Sequence, residues 1–405
     1  MDSTTALQPS SVLPWDSAPE LAWRVLTSPM QQWDVMPSFV LGELLFIAVA
    51  LVALWHARRS GSIYLLCWFG ALLAGTANDV FFMALPLVDN FWQAQAMIML
   101  TPRLPLYIPC VYVCFMYLPT VAVWRLDLSP PARATLSGLA AILFYAPYDI
   151  AGAKYLWWTW HDSDPLIGSR LLGAPIGSTV WVITFAATFA YLIGRVRDRD
   201  QALRGRAWFK ALATIIVLAI PLMTIQMTAL QQLDGGLPGR WTLLAVLLLY
   251  GATAIVGLRQ RQRGTFQRVD RPLLVAVTVH FITFLLIVTV FDPAAHRSAS
   301  VHQTYGPCGV KTTDFMGIER DRYICADAYR GDFRFDCGAA RPEDGANWYT
   351  VCGRPHQDRP AWMGVVGALG VTGLLLFGYA LGPWRRREEG DAASPSAPDP
   401  ESEAG

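Results

Sequence analysis

The strongest constraint on this chain is a series of apolar runs that recur along its whole length. Each run approaches the roughly 20 residues that an α-helix needs to cross the hydrocarbon core of a bilayer. Lipid offers no hydrogen-bond partners to a peptide backbone, so these runs are expected to be helical. We predict an all-α integral membrane protein with nine transmembrane helices, at residues 37–55, 63–85, 104–124, 134–155, 171–193, 211–230, 241–258, 272–291 and 361–381.

The overall composition agrees with a membrane protein. Hydrophobic residues make up 54% of the chain and charged residues 16%, whereas charged residues are about 25% of ordinary soluble domains. The net charge of +1 gives no sign of nucleic-acid binding. Membrane lipid is therefore the expected partner, no nucleic acid is expected, and protein partners are not indicated. Arginine far outnumbers lysine, and alanine and glycine are abundant. This bias is typical of a GC-rich bacterial genome, so we expect a multi-pass protein of the bacterial plasma membrane.

The distribution of basic residues between the runs predicts the orientation of the helices. Short cytoplasmic loops carry an excess of Lys and Arg, and here every second loop is basic, as in the stretches 195–210 and 259–271. The N-terminus is therefore expected outside and the C-terminus in the cytoplasm. The expected organisation is an external N-terminal segment (1–35), an eight-helix transmembrane bundle (36–291), an extracytoplasmic cysteine loop (292–360), a ninth transmembrane helix (361–383) and a disordered cytoplasmic tail (384–405).

Four cysteines lie together in the polar segment between the last two runs: Cys308, Cys325, Cys337 and Cys352. They fall on the side expected to be extracytoplasmic, where an even number of cysteines predicts disulfides. Two disulfides are expected, and the sequence leaves all three pairings open. A zinc site is less favoured, because the spacings lack the close CxxC pairs that such sites contain. We therefore expect a small external loop stapled by disulfides.

Two carboxyl groups lie inside the apolar runs, where ionisable groups are costly and therefore point to function. Asp79 and Asp149 fall in the second and fourth runs. At about 1.5 Å of helical rise per residue, they lie at a similar depth near the outer face. His161 follows shortly after the fourth run. We predict that Asp79, Asp149 and His161 are catalytic, because burial tunes such groups for proton transfer.

The stretch 147–165 combines charged groups with a large aromatic surface. Polar side chains of other helices are expected at the same depth beside it. The predicted substrate-binding residues are Asn78, Tyr148, Lys154, Trp157, Trp158, Trp160, Ser178 and Gln226. The same stretch offers imidazole and carboxylate ligands for a divalent metal, namely His161, Asp162 and Asp164, although adjacent side chains on an extended segment rarely face one ion. No other cofactor is indicated.

Ordinary structural roles explain several of these residues as well. Buried polar groups such as Asp149 and Lys154 lock transmembrane helices together. The tryptophans of 157–160 are typical of the aromatic belt at a membrane surface, and the pair Asp164-Pro165 is typical of a turn. These structural roles stand as alternatives to each functional one.

Three classes of function fit the sequence. We favour a membrane-embedded enzyme that acts on a lipid or isoprenoid-like substrate through an outward-facing Asp/His pocket. The first alternative is a transporter or channel that uses Asp79 and Asp149 as a cation or proton site. The second is a non-catalytic receptor or assembly factor that works through the cysteine loop. The motifs of phosphate-binding loops, zinc proteases and serine hydrolases do not occur in the sequence, so whether the chain is an enzyme stays open.

The order of residues in two regions resembles a known family. Tyr148-Asp149, followed by the segment from Lys154 to Pro165, is similar to the signature of an uncharacterised family of polytopic membrane proteins known only as a domain of unknown function. Three further segments are similar to the cysteine loop of that family: 302–308, 322–325 and 348–353. The resemblance runs from the first to the ninth helix and implies the same nine-span architecture. It implies no activity, because none is established for the family.

Overall fold

The structure, a computed structural model, describes residues 23–85, 90–161, 164–260, 268–313, 317–325, 331, 333–336 and 341–383. Asp162, Cys337 and the terminal segments 1–22 and 384–405 lie outside these ranges. The predicted division into segments stays a prediction, as does the orientation across the membrane.

Within the described ranges, nine helices are long and apolar enough to cross a membrane, which confirms the predicted fold class. A short helix α1 (Pro29–Val35) precedes them. The nine are α2 (Pro37–Ser60), α3 (Ser62–Ala84), α4 (Tyr107–Trp124), α5 (Pro130–Lys154), α6 (Ile176–Arg199), α7 (Gly205–Gln231), α8 (Arg240–Gln260), α9 (Arg271–Val290) and α10 (Arg359–Leu381).

The helix boundaries follow from local chemistry. A proline lies in the first turn of α2, α5, α9 and α10, where the missing N–H would have had no helical partner. Gly61, with φ of 116°, separates α2 from α3, and such a backbone conformation is open to glycine at little cost. α6 begins five residues later than the predicted 171, because Arg170–Pro175 form a small β-hairpin instead.

The bundle is organised around α4. Of the most apolar 18 residues of α4, 94% are buried inside the protein. The same share is 72% for α5 and α6 and 22% for α7 and α8. The peripheral helices present large exposed side chains such as Val217, Leu248 and Leu375, which suit contact with lipid. α4 is thus enclosed by protein, while α7 and α8 form part of the lipid-facing surface.

Glycines let aromatic side chains pack closely against the helices. An added Cβ at Gly42 of α2 would overlap the ring of Trp157, and one at Gly75 of α3 would overlap the ring of Tyr112. Small residues at such positions allow close approach where no hydrophobic effect drives helices together. These two contacts fix the positions of rings that line the site described below.

Loops at one end of the bundle combine into a single cap, which comprises the described residues of 23–28, 90–106, 155–175 and 291–358. β1 (Phe91–Gln93) pairs antiparallel with β4 (Trp158–Trp160), and we call this pair the ribbon. The cysteine loop contributes a three-stranded sheet with the order β10 (Phe333–Arg334), β11 (Trp348–Gly353) and β7 (Arg297–Val301). Three further hairpins are β2 (Met99–Thr101) with β3 (Leu104–Pro105), β5 (Arg170–Leu171) with β6 (Ala174–Pro175), and β8 (Lys311–Thr313) with β9 (Glu319–Asp321).

Backbone hydrogen bonds join these loops to one another. Gln95 N–H donates to the carbonyl of Ala299, which connects the loop after α3 to the cysteine loop. Leu26 forms a bridge with Ile98, which adds the N-terminal segment. The cysteine loop is therefore one part of a larger cap. The opposite end of the bundle, where α2 ends with Arg58 and Arg59 and where Arg125 and Arg197 lie, is called the basic end.

The cysteines follow the expected division. Cys308 and Cys325 form a disulfide, and Cys352 is also disulfide-bonded. The three cysteines of the spans, Cys67, Cys110 and Cys114, are free, which agrees with their apolar surroundings. The structure thus chooses one pair among those that the sequence left open.

We predict that this pairing can be read from peptides of the unreduced protein. Trypsin should release residues 298–311, which contain Cys308, joined to residues 323–330, which contain Cys325. Mass spectrometry should detect the joined pair without reductant, and dithiothreitol should separate it into two peptides. A joined peptide that links Cys308 to Cys352 would contradict the pairing.

We also predict that the close approach at Gly42 matters for stability. Gly42→Ala should lower the free energy of unfolding by about 1–3 kcal/mol, because the new methyl group overlaps the Trp157 ring in a packed interior. Gly251→Ala in α8 is the matched control, since no atom lies within 4 Å of its Cβ position. Thermal unfolding in detergent, followed by tryptophan fluorescence, should separate the two variants. Equal midpoints would show that the overlap is relieved without cost.

Candidate functional site

Asp149 lies in the last two turns of α5, just after Pro147. Its side chain is buried, with 2% of the residue exposed. Within the part of the chain that the structure describes, neither oxygen of its carboxyl group completes a hydrogen bond. The hydroxyl of Ser178 on α6 faces the carboxyl, and the charge of Arg170 acts on it from the cap. An ionised carboxylate is costly in such a place, because no completed hydrogen bond among the described residues replaces the water that it lost.

Asp79 of α3 is only partly satisfied. One carboxyl oxygen accepts a hydrogen bond of 3.0 Å from the hydroxyl of Tyr112, while the other has no partner among the described residues. The neighbouring Asn78 amide donates to the same hydroxyl at 3.3 Å. The charge of Arg103 acts on the carboxyl from the cap. Tyr112, positioned by its contact with Gly75, thus binds the side chains of both Asn78 and Asp79.

Tyrosines connect the two carboxyl groups. The charges of Asp79 and Asp149 both act on Tyr145 and Tyr148 of α5. Asp79 and Asp149, which were predicted to lie together, therefore share two tyrosine neighbours with which both interact electrostatically. The residues that we call the tyrosine–carboxyl cluster are Asp79, Asp149, Tyr107, Tyr112, Tyr145 and Tyr148.

The cluster continues toward the cap through hydrogen-bonding groups. The hydroxyls of Tyr148 and Tyr107 are 3.4 Å apart. Tyr107 donates to the side-chain oxygen of Gln93, in the ribbon, at 2.7 Å. A tyrosine hydroxyl both donates and accepts, so these groups form a continuous polar route from the bundle to the ribbon.

One edge of the cluster is less enclosed than the rest. Tyr107, Tyr112 and Tyr148 are buried, whereas Tyr145 and the α6 residues Ser178 and Trp181 are half-buried. The less enclosed edge therefore lies where α5 meets α6.

Glu43 of α2 is a buried acid that the sequence argument missed. Its two carboxyl oxygens accept hydrogen bonds from the backbone N–H of Met97, at 3.0 and 3.1 Å, and its charge acts on Tyr107. Glu43 therefore fastens the cap loop to α2 beside the cluster. Glu43 is the seventh residue of the first predicted span, 37–55. The rule that ionisable groups inside apolar runs point to function, which selected Asp79, would also have selected Glu43.

The ribbon separates His161 from the carboxyl groups. Successive side chains of a strand point to opposite faces. Trp158 faces the bundle, with its ring 4.8 Å from that of Tyr148. Trp92 and Thr159 face the other way, toward the rings of His161 (6.1 Å from Trp92) and His302. The predicted catalytic histidine thus lies on the far side of the ribbon from Asp149.

His161 and Asp164 belong to a contact within the cap. Asp164 forms an ion pair of 2.9 Å with Arg320 of the cysteine loop and accepts a hydrogen bond from the N–H of Leu166. Burial lowers the pKa of His161, opposed by the charges of Asp164 and Asp321. Burial also raises the pKa of Asp164, which the N–H of Leu166 and the charge of Arg320 oppose.

The predicted metal site gains no support from the described residues. They contain no group of three or more His, Cys, Asp or Glu side chains placed to hold a metal ion. Asp162 lies outside the described residues, and Asp164 is engaged with Arg320. The metal stays a prediction.

The aromatic residues of the predicted binding set are mostly interior. Trp157 is fully buried and donates a hydrogen bond of 3.0 Å to Ser38, and Trp158 is 3% exposed. Trp160 pairs with Phe91 in the ribbon. Trp157 and Trp158 therefore do not form the membrane-surface belt that was weighed for them, because both are enclosed by protein.

Two polar members of that set make contacts away from the carboxyl groups. The Lys154 ammonium lies 5.4 Å from the ring of Trp362 on α10. The Gln226 amide donates to Thr188 and accepts from Tyr250, each at 2.8 Å. Gln226 thus ties α6, α7 and α8 together, which is a structural role.

Two further histidines are buried in the cap. His296 donates from Nδ1 to the carbonyl of Asp292 at 2.9 Å, and its Nε2 lies 2.8 Å from the Ser38 hydroxyl. His302 lies between the hydroxyls of Thr159 and Ser300, at 3.1 and 3.0 Å. Burial lowers the pKa of His296 to about 4 and that of His302 to about 3. Both are therefore neutral at physiological pH.

Residues 22–382 match a family model described as Domain of unknown function (DUF7802). The chain belongs to this family. Membership of an uncharacterised family of polytopic membrane proteins is thereby confirmed. No curated protein and no solved structure matches the chain. Any function for this member of the DUF7802 family must be inferred from its own residues.

We predict that the neutral cap histidines make the protein sensitive to acid. In the unfolded chain these imidazoles take up protons near pH 6.5, whereas in the folded protein they do so only near pH 4 and 3. The unfolded state therefore binds more protons between these values, and stability falls as the pH drops through this window. The loss amounts to about 3 kcal/mol for His296 at pH 4.

Thermal midpoints measured in detergent from pH 7 to 4.5 test this expectation. His302→Gln keeps hydrogen-bonding capacity without titrating, so its midpoint should fall less steeply with acid than that of the wild type. If the thermal midpoints of wild type and His302→Gln fall equally with pH, His302 does not contribute to the acid sensitivity.

Proposed function

We propose that this DUF7802 protein is a transporter or channel in which the tyrosine–carboxyl cluster binds a proton. The carboxyl of Asp149 carries the proposal, because it is buried and neither oxygen completes a hydrogen bond among the described residues. Removing an unpaired carboxylate from water costs several kcal/mol. Such a group either takes up a proton or binds a counter-ion.

Charge favours the proton over a metal cation. Arg103 acts on Asp79, and Arg170 acts on Asp149. Both guanidiniums repel a bound cation, whereas a proton joins the carboxyl covalently and leaves a neutral group. When the proton departs, the same arginines stabilise the carboxylate that remains.

The tyrosine hydroxyls supply a route for the proton. Tyr148, Tyr107 and Gln93 lead from the level of Asp149 to the ribbon. Proton chains of carboxyl and hydroxyl groups are typical of transporters and pumps, where intramembrane ionisable groups mark the pathway.

An enzyme that acts on a lipid is the second candidate. The half-buried edge formed by Tyr145, Ser178 and Trp181 favours it, since a lipid headgroup entering between α5 and α6 would meet Asp149 there. The position of His161 beyond the ribbon weighs against the shared acid and base roles predicted from the sequence.

The proposed function predicts proton flux that depends on Asp149. In proteoliposomes with a trapped pH-sensitive dye and an imposed gradient, Asp149→Asn should lower the flux about tenfold or more, because an amide cannot take up and release the proton. Asp79→Asn should also lower it. Asp336→Asn is the matched control, since this carboxylate in the cap is 62% exposed and the same charge is lost far from the cluster.

Size-exclusion profiles and tryptophan fluorescence should show that the amide variants keep the fold. Flux that is equal in wild type and Asp149→Asn, or no flux in wild type under any gradient, would contradict the proposal. Asp149-dependent consumption of a lipid in the same vesicles, without flux, would select the enzyme.

A further inference from the structure

A second group of titratable side chains lies at the basic end of the bundle. His56 of α2 is placed between Tyr117 of α4 and Asp270, the residue before α9. Its Nδ1 lies 2.7 Å from the Tyr117 hydroxyl, and its Nε2 lies 2.9 Å from a carboxyl oxygen of Asp270. The hydroxyl of Ser60 lies 3.2 Å from the same Nε2. Three helices thus meet at one imidazole.

The partners of His56 determine where its protons are. A carboxylate only accepts hydrogen bonds, so Nε2 carries a hydrogen and donates it to Asp270. Nδ1 of the neutral ring then accepts from the Tyr117 hydroxyl. When both nitrogens are protonated, the hydroxyl turns and accepts from Nδ1. Both charge states of the imidazole therefore keep both contacts, and the proton can come and go without rearrangement of the helices.

Asp270 is held as a carboxylate. Burial disfavours its charge, but hydrogen bonds from His56 and from the N–H of Leu273, with the charge of Arg125, outweigh it and lower the pKa of Asp270. Its own N–H donates to the carbonyl of Leu381. Arg125 in turn donates to the carbonyl of Ala380. The C-terminal end of α10 and the start of α9 thus fix the carboxylate against His56.

Exposure decreases along this group. Ser60 is exposed, His56 is half-buried, and Tyr117 is fully buried. The other titratable groups around it are Arg125, Arg197, Tyr64 and Cys67. Arg125, Arg197 and Asp270 interact electrostatically with Tyr64, and Tyr64 and Cys67 interact in the same way with Tyr117. The contacts therefore run from the surface of the basic end into the bundle.

We propose that Ser60, His56, Tyr117 and Asp270 form a proton-exchange site at the basic end, separate from the tyrosine–carboxyl cluster. Its ligand is the proton of the aqueous phase on that side. The inference goes beyond the proposed function and holds even if Asp149 carries no flux. Where both hold, α4 connects them, because Tyr117 follows Tyr112 by five residues, or about 7.5 Å of helical rise.

Nuclear magnetic resonance of the full-length protein in nanodiscs tests the site. The chain contains six histidines, so selective ¹⁵N labelling of histidine gives a spectrum that His56→Gln can assign. We expect the neutral His56 ring to carry its hydrogen on Nε2, where the carboxylate of Asp270 accepts it. Its N–H should exchange with water about tenfold faster or more than that of His280 in the same sample, which is fully buried.

Two variants then separate exchange from a purely structural contact. Asp270→Asn should shift the Nε2 signal of His56 and change the exchange rate of its N–H, because the carboxylate that accepts this hydrogen is gone. Tyr117→Phe should shift only the Nδ1 signal of His56, because it removes the hydroxyl that contacts Nδ1. This variant replaces Asp270→Asn as the test if Asp270→Asn does not fold. A His56 that carries its hydrogen on Nδ1, or whose N–H exchanges as slowly as that of His280, would overturn the proposal.

Discussion

Lipid supplies no hydrogen bonds, and the whole structure depends on how this chain satisfies its polar groups without them. The backbone does so within nine long helices among the described residues. Side chains do so by reaching the cap: Glu43 accepts from the Met97 backbone, and Ser38 lies between Trp157 and His296. Asp149 departs from this pattern: the Ser178 hydroxyl faces its carboxyl group, but neither carboxyl oxygen completes a hydrogen bond in the described part of the chain.

Helix α4 connects the two groups of titratable side chains, one toward the cap and one toward the basic end. Toward the cap, Tyr112 and Tyr107 belong to the tyrosine–carboxyl cluster. Toward the basic end, Tyr117 contacts His56. Because α4 is the most enclosed helix of the bundle, both groups are shielded from lipid, and in such surroundings electrostatic interactions are strong. The central helix therefore carries three buried tyrosine hydroxyls, two in the cluster and one beside His56.

The sequence was informative wherever one physical rule acts locally. Apolar runs of sufficient length identified the nine long helices of the described residues, and helical rise alone placed Asp79 and Asp149 near the same end. The cysteine pattern predicted disulfides, of which Cys308–Cys325 is now defined. The family resemblance, carried by the segment from Lys154 to Pro165, was also correct.

Long-range pairing is what the sequence could not supply. Residues 91–93 and 158–160 form the ribbon, and three-residue strands leave no periodic pattern that would predict their partner. Without the ribbon, His161 appeared next to Asp149, because both lie in one short stretch of sequence. The tryptophans were similarly ambiguous, since an indole at a helix end suits either a membrane surface or a packed interior.

The short ribbon is expected to open locally more often than the helices of the bundle. It joins its two loops by only three residue pairs, and small elements of this kind open locally at far lower free energy than a protein unfolds. Gln93, the cap end of the polar route from Tyr148 through Tyr107, lies in one of its strands. When these pairs separate, water on the cap side gains access to Gln93 while the helices of the bundle stay packed, so hydrogen exchange of the ribbon amides reports how often that end of the polar route opens.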